Sequence, residues 1–235
     1  MKINIFEKGF NYSQDGPGNR LVYHLSGCNM TCPWCSNPEG MERNGMDYGT
    51  DEIINEIKSS APMFFDGGGV TFTGGECTLQ YEAILRIIDS LPETDFCIES
   101  NATTKGFMNV AEKCNTVIVD YKSPDADRLK AVTSADKGII EENIKKIISK
   151  KYVHIRIPFI HNFNDDEASM EGFIEFFRSL KGDFDVEILP YHEYGKEKWN
   201  KLGKEYTVTD GYVSREAIKK FIDLMNKNAI RVIKT

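Results

Sequence analysis

Hydrophobic and polar positions follow two periods along this chain. Six short runs rich in β-branched and aromatic residues, at 20–26, 69–74, 94–100, 116–121, 152–160 and 184–190, read as strands. Between them apolar residues fall at helical spacing: Tyr81, Ile84, Leu85 and Ile88; Ile140, Ile144 and Ile147; Phe173, Phe176, Phe177 and Leu180; and last Ile218, Phe221, Ile222 and Met225. Strand and helix alternating in this way predict parallel strands joined by right-handed crossovers, hence an α/β fold of the partial (β/α)6 barrel type. No internal repeat, low-complexity tract or Pro/Ser-rich linker interrupts the alternation, so residues 1–235 are read as one domain.

In such folds ligands gather at the carboxyl ends of the strands. Residues two apart on a strand share a face, which groups Asp120 with Lys122, His154 with Arg156, Cys97 with Glu99 and Asn101, and Ile188 with Pro190 and His192. Any one of these fits a strand end where solvated residues simply begin. Their recurrence from run to run predicts a polar mouth.

Composition narrows the partners. The 235 residues are 40% hydrophobic and 28% charged, enough to bury a core without a disulfide or structural metal. With 29 Lys+Arg against 36 Asp+Glu the formal charge is −7, which offers no basic footprint for nucleic acid or an anionic membrane. No apolar run approaches the roughly 20 residues of a membrane span, and the opening residues lack the apolar stretch of a signal peptide. The expected location is therefore the cytoplasm, where the six cysteines are thiols, ligands or catalysts before they are disulfides.

Three of those cysteines, Cys28, Cys32 and Cys35, lie on one short loop after the first strand run. Thiolates select zinc or iron–sulfur clusters. A structural zinc site is closed by four ligands, so zinc would need a fourth from afar, with Cys77 and His24 as candidates. A redox dithiol on Cys32 and Cys35 is a further reading. A four-iron cluster held by three cysteines instead keeps one iron open to an exogenous ligand.

The C-x3-C-x2-C spacing, with Trp34 before the third cysteine, resembles the defining motif of the radical SAM enzymes. Asp15-Gly16-Pro17-Gly18, Gly67-Gly68-Gly69-Val70 leading into Thr73-Gly74-Gly75-Glu76, Val119-Asp120-Tyr121-Lys122, and the stretch from Leu189 to Trp199 are similar to motifs of the glycyl radical enzyme activating enzymes within that superfamily. The similarity spans nearly the whole chain.

That resemblance implies a single [4Fe-4S] cluster on Cys28, Cys32 and Cys35, whose open iron is chelated by S-adenosylmethionine. No side chain then acts as acid or base, and the protein's own residues bind and orient. Gly74, Gly75 and Glu76 match the family's GGE segment at the methionine moiety. The glycines also suit a plain turn, the reading preferred for Gly67-Gly68-Gly69. Asp120, Tyr121 and Lys122 match positions at the polar end of the cofactor, though Asp120 and Lys122 also suit a surface ion pair. Arg156 and His192 match positions near the methionine and ribose, and Trp34, Ser36 and Asn37 flank the third cysteine where the family packs the adenine; Trp34 as core and His192 as a satisfied buried histidine are the plainer readings. Glu99-Ser100-Asn101 stands where the family has an aspartate, a threonine and an asparagine that help bind a monovalent cation, from which Glu99 departs by one methylene.

Cys77, Cys97 and Cys114 are read as small buried hydrophobes. Residues 36–66 hold no cysteine, so the ferredoxin-like insert of many activating enzymes is absent and one cluster is expected. The function implied is an activase that takes a Cα hydrogen from a glycine of a partner enzyme, with a flavodoxin or ferredoxin as electron donor and a monomeric state. The partner's backbone loop would dock near Tyr191–Trp199, which also suits a solvated loop with incidental aromatics. Two other functions fit the chain: a radical SAM enzyme acting on a small molecule, and a zinc-stabilised binding module.

Overall fold

The computed structural model describes residues 1–234; Thr235, the last residue of the expected domain, lies outside them. Backbone proximity divides the described chain into two units. The first comprises residues 1–29, 37–100 and 104–118, and the second residues 30–36, 101–103 and 119 onward.

The first unit holds strands β1 (Lys2–Tyr12), β2 (Asn19–Leu25), β3 (Met46–Gly49), β4 (Gly69–Gly74) and β5 (Phe96–Ser100), with helices α1 (Thr50–Ser60), α2 (Tyr81–Asp89) and α3 (Phe107–Ala111). Three of the expected strands are present as β2, β4 and β5, paired parallel with Arg20 opposite Gly69 and Val70 opposite Phe96. β1 and β3 depart from the all-parallel expectation. β1 runs antiparallel to both β2 and β3, giving the order β3-β1-β2-β4-β5. The rings of Tyr23, Phe72 and Phe96 stack in succession at 5.8 and 6.0 Å. Ile53 and Ile57 of α1 and Ile84 and Ile87 of α2 are buried in the same unit, as expected when one stripe of each helix faces the sheet.

Strand β6 (Thr116–Asp120) begins in the first unit and ends in the second. The second unit continues with α4 (Ala126–Thr133), α5 (Lys137–Ile148), β7 (Val153–Phe159), α6 (Glu167–Ser179), β8 (Phe184–Pro190), α7 (Lys196–Lys201), α8 (Arg215–Lys227) and β9 (Val232–Ile233). β7, β8 and β9 are parallel neighbours, with His154 opposite Asp185 and Arg156 opposite Glu187. Phe159, Phe173 and Phe221 close the core, the first and last stacked at 5.0 Å. Side chains cap the helices that flank the sheet: Asp125, Asp136, Asp166 and Ser214 each accept a backbone N–H from the first turn of α4, α5, α6 and α8. Among the described residues no helix is long and apolar enough to cross a membrane.

Candidate functional site

In the first unit the expected site residues lie at the ends of β2, β4 and β5. Residues 26–37 carry no regular element. Backbone bonds from Gly27 N–H to Gly40 (2.8 Å) and Cys28 N–H to Met41 (3.0 Å) fix the approach to the first cysteine. The buried amide of Gln80 reinforces it, donating to the carbonyls of Asn4 (2.9 Å) and Ser26 (3.0 Å) and accepting from Asn4 N–H (2.7 Å).

Gly74 presses against the end of β2 and Gly75 against that same loop. Gly74 has φ +117°, a left-handed value that favours glycine, and a Cβ at Gly75 would lie 2.3 Å from the Gly27 carbonyl oxygen and 2.4 Å from that of Gly40. The space that demands glycine at 75 is thus filled by protein backbone. Glu76 is fully buried, and its Oε1 accepts from the Thr78 N–H (3.1 Å), the Thr78 hydroxyl and Ser100 Oγ (2.7 Å). Glu99 accepts from Thr73 Oγ1 at 2.8 Å. Cys77 is buried with its Sγ donating to the Glu99 carbonyl, and burial pushes its thiol well above the usual range.

The second unit holds Cys32, Trp34, Cys35 and the ends of β6, β7 and β8. Cys32 is buried and Cys35 half-buried, and Cys35 N–H donates to the Cys32 carbonyl at 3.2 Å, turning the chain tightly between the two thiols. Trp34 lies against Phe163 at 4.5 Å between ring centres. Lys122, only 7% exposed, reaches Asp120 Oδ2 at 2.5 Å. Arg156 Nε donates to Glu187 Oε2 at 3.0 Å, and that carboxylate also meets His154 Nε2 at 3.1 Å. Burial lowers the pKa of His192 below the ordinary imidazole value, which keeps the ring neutral at pH 7.

One expected residue stands differently. Tyr121 was grouped with Asp120 and Lys122, yet adjacent residues on an extended chain face opposite ways. Its ring packs among Phe173, Phe176 and Phe177, and its hydroxyl donates to Glu141 Oε1 at 2.6 Å. Asn101 Oδ1 accepts from both the N–H (3.0 Å) and the hydroxyl (2.6 Å) of Thr103.

Some positioning residues carried no sequence signal. Asn164 is fully buried; its amide donates to the carbonyls of Lys122 and Pro158, both at 2.7 Å, and accepts from Ile160 N–H at 2.8 Å. It ties the chain after β6 to the end of β7. Glu187 and Gln80 act similarly on Arg156 and on the first cysteine's approach. A polar residue inside an apolar stretch is the only hint that sequence offers for such roles.

The donor set on residues 26–37 is three thiols with no carboxylate or imidazole among them. That set fits an iron–sulfur centre with one open iron and matches neither the closed ligand shell of structural zinc nor an oxygen-ligated metal.

Residues 22–174 match the family model of the radical SAM superfamily. The chain is 31% identical over 210 residues to the pyruvate formate-lyase-activating enzyme of Staphylococcus aureus, covering 83% of this chain and 84% of that protein. It is 25% identical over 291 residues to the 4-hydroxyphenylacetate decarboxylase activating enzyme of Clostridioides difficile, covering 92% and 90%. In fold it is similar to a crystallised domain of a pyruvate-formate lyase-activating enzyme from Bacteroides vulgatus, with a TM-score of 0.57 at 24% identity, covering 71% of this chain and 98% of that one.

Proposed function

Because this chain belongs to the radical SAM superfamily and, within it, to the activating enzymes of glycyl radical enzymes, we propose that it installs a glycyl radical on a partner enzyme of the pyruvate formate-lyase kind. The observation that carries this reading is the loop on which Cys28, Cys32 and Cys35 are the only metal-ligating side chains. When bound, the [4Fe-4S] cluster and S-adenosylmethionine supply reductive cleavage of the sulfonium and abstraction of a glycine Cα hydrogen.

The chain's own residues bind and orient. Cys28, Cys32 and Cys35 ligate the cluster. Lys122, its ammonium held on Asp120, offers a point charge to the carboxylate of S-adenosylmethionine. Arg156, aimed by Glu187, and the neutral ring of His192 contact the methionine and ribose portions. Trp34, braced by Phe163, gives the adenine a flat face beside Ser36 and Asn37. Gly74, Gly75 and Glu76 hold the β4 end against the loop of the first cysteine, and the S-adenosylmethionine contact there is made by their backbone. The partner's glycine loop docks as an extended segment near Tyr194, whose side chain is 80% exposed. The electron comes from a flavodoxin or ferredoxin, and the enzyme works as an anaerobic, cytoplasmic monomer.

The test is electron paramagnetic resonance on anaerobically reconstituted enzyme mixed with S-adenosylmethionine, a reductant and a glycyl radical enzyme of the pyruvate formate-lyase kind. A glycine-centred doublet is expected with the wild type and none with Cys32→Ala, which also loses its iron. A wild type that binds about four irons and cleaves S-adenosylmethionine, yet yields no doublet with any such partner, overturns the activase reading and favours a small-molecule substrate.

A further inference from the structure

The segment from Tyr191 to Trp199 reads in sequence as a docking lip, yet its most specific contact is with the third cysteine. Trp199 Nε1 donates to the carbonyl oxygen of Cys35 at 3.0 Å across 164 residues of chain. Beside it, a Cβ on Gly195 would lie 2.2 Å from that same oxygen and 3.0 Å from Ser36 Cα. Gly195 has φ −76°, a value open to any residue. Its need for glycine is therefore steric: the backbone before α7 lies directly on Cys35.

The clamp is braced from behind. The Trp199 ring meets Tyr206 edge-on at 6.1 Å, the Tyr206 hydroxyl bonds that of Tyr191 at 2.9 Å, and Tyr191 packs edge-on against Tyr212 at 5.0 Å. Three hydrogen bonds return to the α7 end, from Leu202 N–H to the carbonyls of Lys198 and Trp199 and from Lys204 N–H to that of Trp199. An indole fixed by such packing loses little freedom on making its bond, so its N–H is preorganised for the Cys35 carbonyl.

We infer that Trp199, with Gly195, is a positioning residue for the third cysteine: its N–H and the close backbone of Gly195 hold the Cys35 peptide so that the thiolate stays on its iron. The inference rests on the reading of Cys35 as a cluster ligand. A carbonyl deprived of its donor lets the Cys35 peptide rotate, and the sulfur moves with it.

The test is release of iron from the reconstituted holoenzyme to a ferrous chelator, bathophenanthroline disulfonate, followed by absorbance. Trp199→Phe keeps the ring and removes the donor; Gly195→Ala is the second variant should the first fail to fold. Iron release at least three-fold faster than wild type is expected, with a changed line shape of the reduced cluster's paramagnetic spectrum and an apoprotein melting midpoint within about 2 °C of wild type. Release less than three-fold faster in the folded variants overturns the inference. A second measurement does not depend on the cluster: in the apoprotein, alkylation of Cys35 by iodoacetamide, read by mass spectrometry, is expected to accelerate at least three-fold in Trp199→Phe, and an unchanged rate overturns the clamp. Wild-type protein that takes up no iron while Cys35 still shows this difference sinks the cluster reading and leaves the clamp standing.

Discussion

Arg20 has no exposed surface and carries a full charge. It is tolerated because every N–H it owns is used. Nε donates to Thr71 Oγ1 at 2.8 Å, Nη1 to the carbonyls of Pro17 and Gly67 at 3.1 and 3.3 Å, and Nη2 to Val70 and Asp95 carbonyls and to Asp95 Oδ1 at 2.7 Å. Thr71 in turn donates to the Asp15 carbonyl at 2.7 Å, so one guanidinium organises the Asp15–Gly18 turn between β1 and β2. Replacing it by an apolar side chain of similar length leaves several buried acceptors and a carboxylate without their donor. Arg20→Met is expected to cost about 3 kcal/mol in urea unfolding, the lower end for a broken buried pair since Asp95 is a third exposed. A loss under 1 kcal/mol would show the network to be dispensable. An arginine within a strand run gives no sign of such a role in sequence, where it reads as a surface residue.

At the level of elements, the helices of the second unit start where an Asp or Ser stands ready to accept. Asp136 shows this most simply, taking the N–H groups of Gly138 and Ile139 at 2.8 and 3.3 Å from an exposed position. Asp136→Ala is expected to lose about 1 kcal/mol and Asp136→Asn much less, measured by urea titration of paired variants. The six expected strands all form, because β-branched and aromatic runs bounded by turn residues state their type locally. β1 was not legible: after Ile3 and Ile5 its sequence turns to Glu7, Lys8 and Gly9, and it becomes a strand only by pairing with β2 and β3. β9 is two residues long and exists through β8. α7 has one tryptophan among polar residues and no apolar repeat, so the lip expected as a loop is partly a helix. α1 carries a stripe in Ile53, Ile54 and Ile57, with Asp51 and Glu52 in its first turn, and is a helix outside the four expected patterns.

For the molecule as a whole, ligand and stability are linked. S-adenosylmethionine that binds only the folded, cluster-loaded chain, at about a hundred times its Kd, is expected to add about 2.7 kcal/mol to unfolding, seen as a higher melting temperature under anaerobic conditions. Cys32→Ala should show almost none of that increase, because chelation to the open iron is removed. An equal increase in both proteins would separate S-adenosylmethionine binding from the cluster. The net charge of −7 gives no broad basic field, so docking of a protein partner depends on local shape rather than on a broad positive field.

By itself the sequence determined the kind of chemistry, through the resemblance of its Cys28, Cys32 and Cys35 motif and several further segments to one enzyme family, and the identity of most elements, since periodicity is written into neighbouring residues. Only the tertiary structure decided that Tyr121 turns into the aromatic core, that the carbonyls of Gly27 and Gly40 claim the space beside Gly75, and that Trp199 reaches Cys35. Those outcomes depend on which distant segments meet when apolar surface is buried, and contacts made at long range leave no local pattern to read.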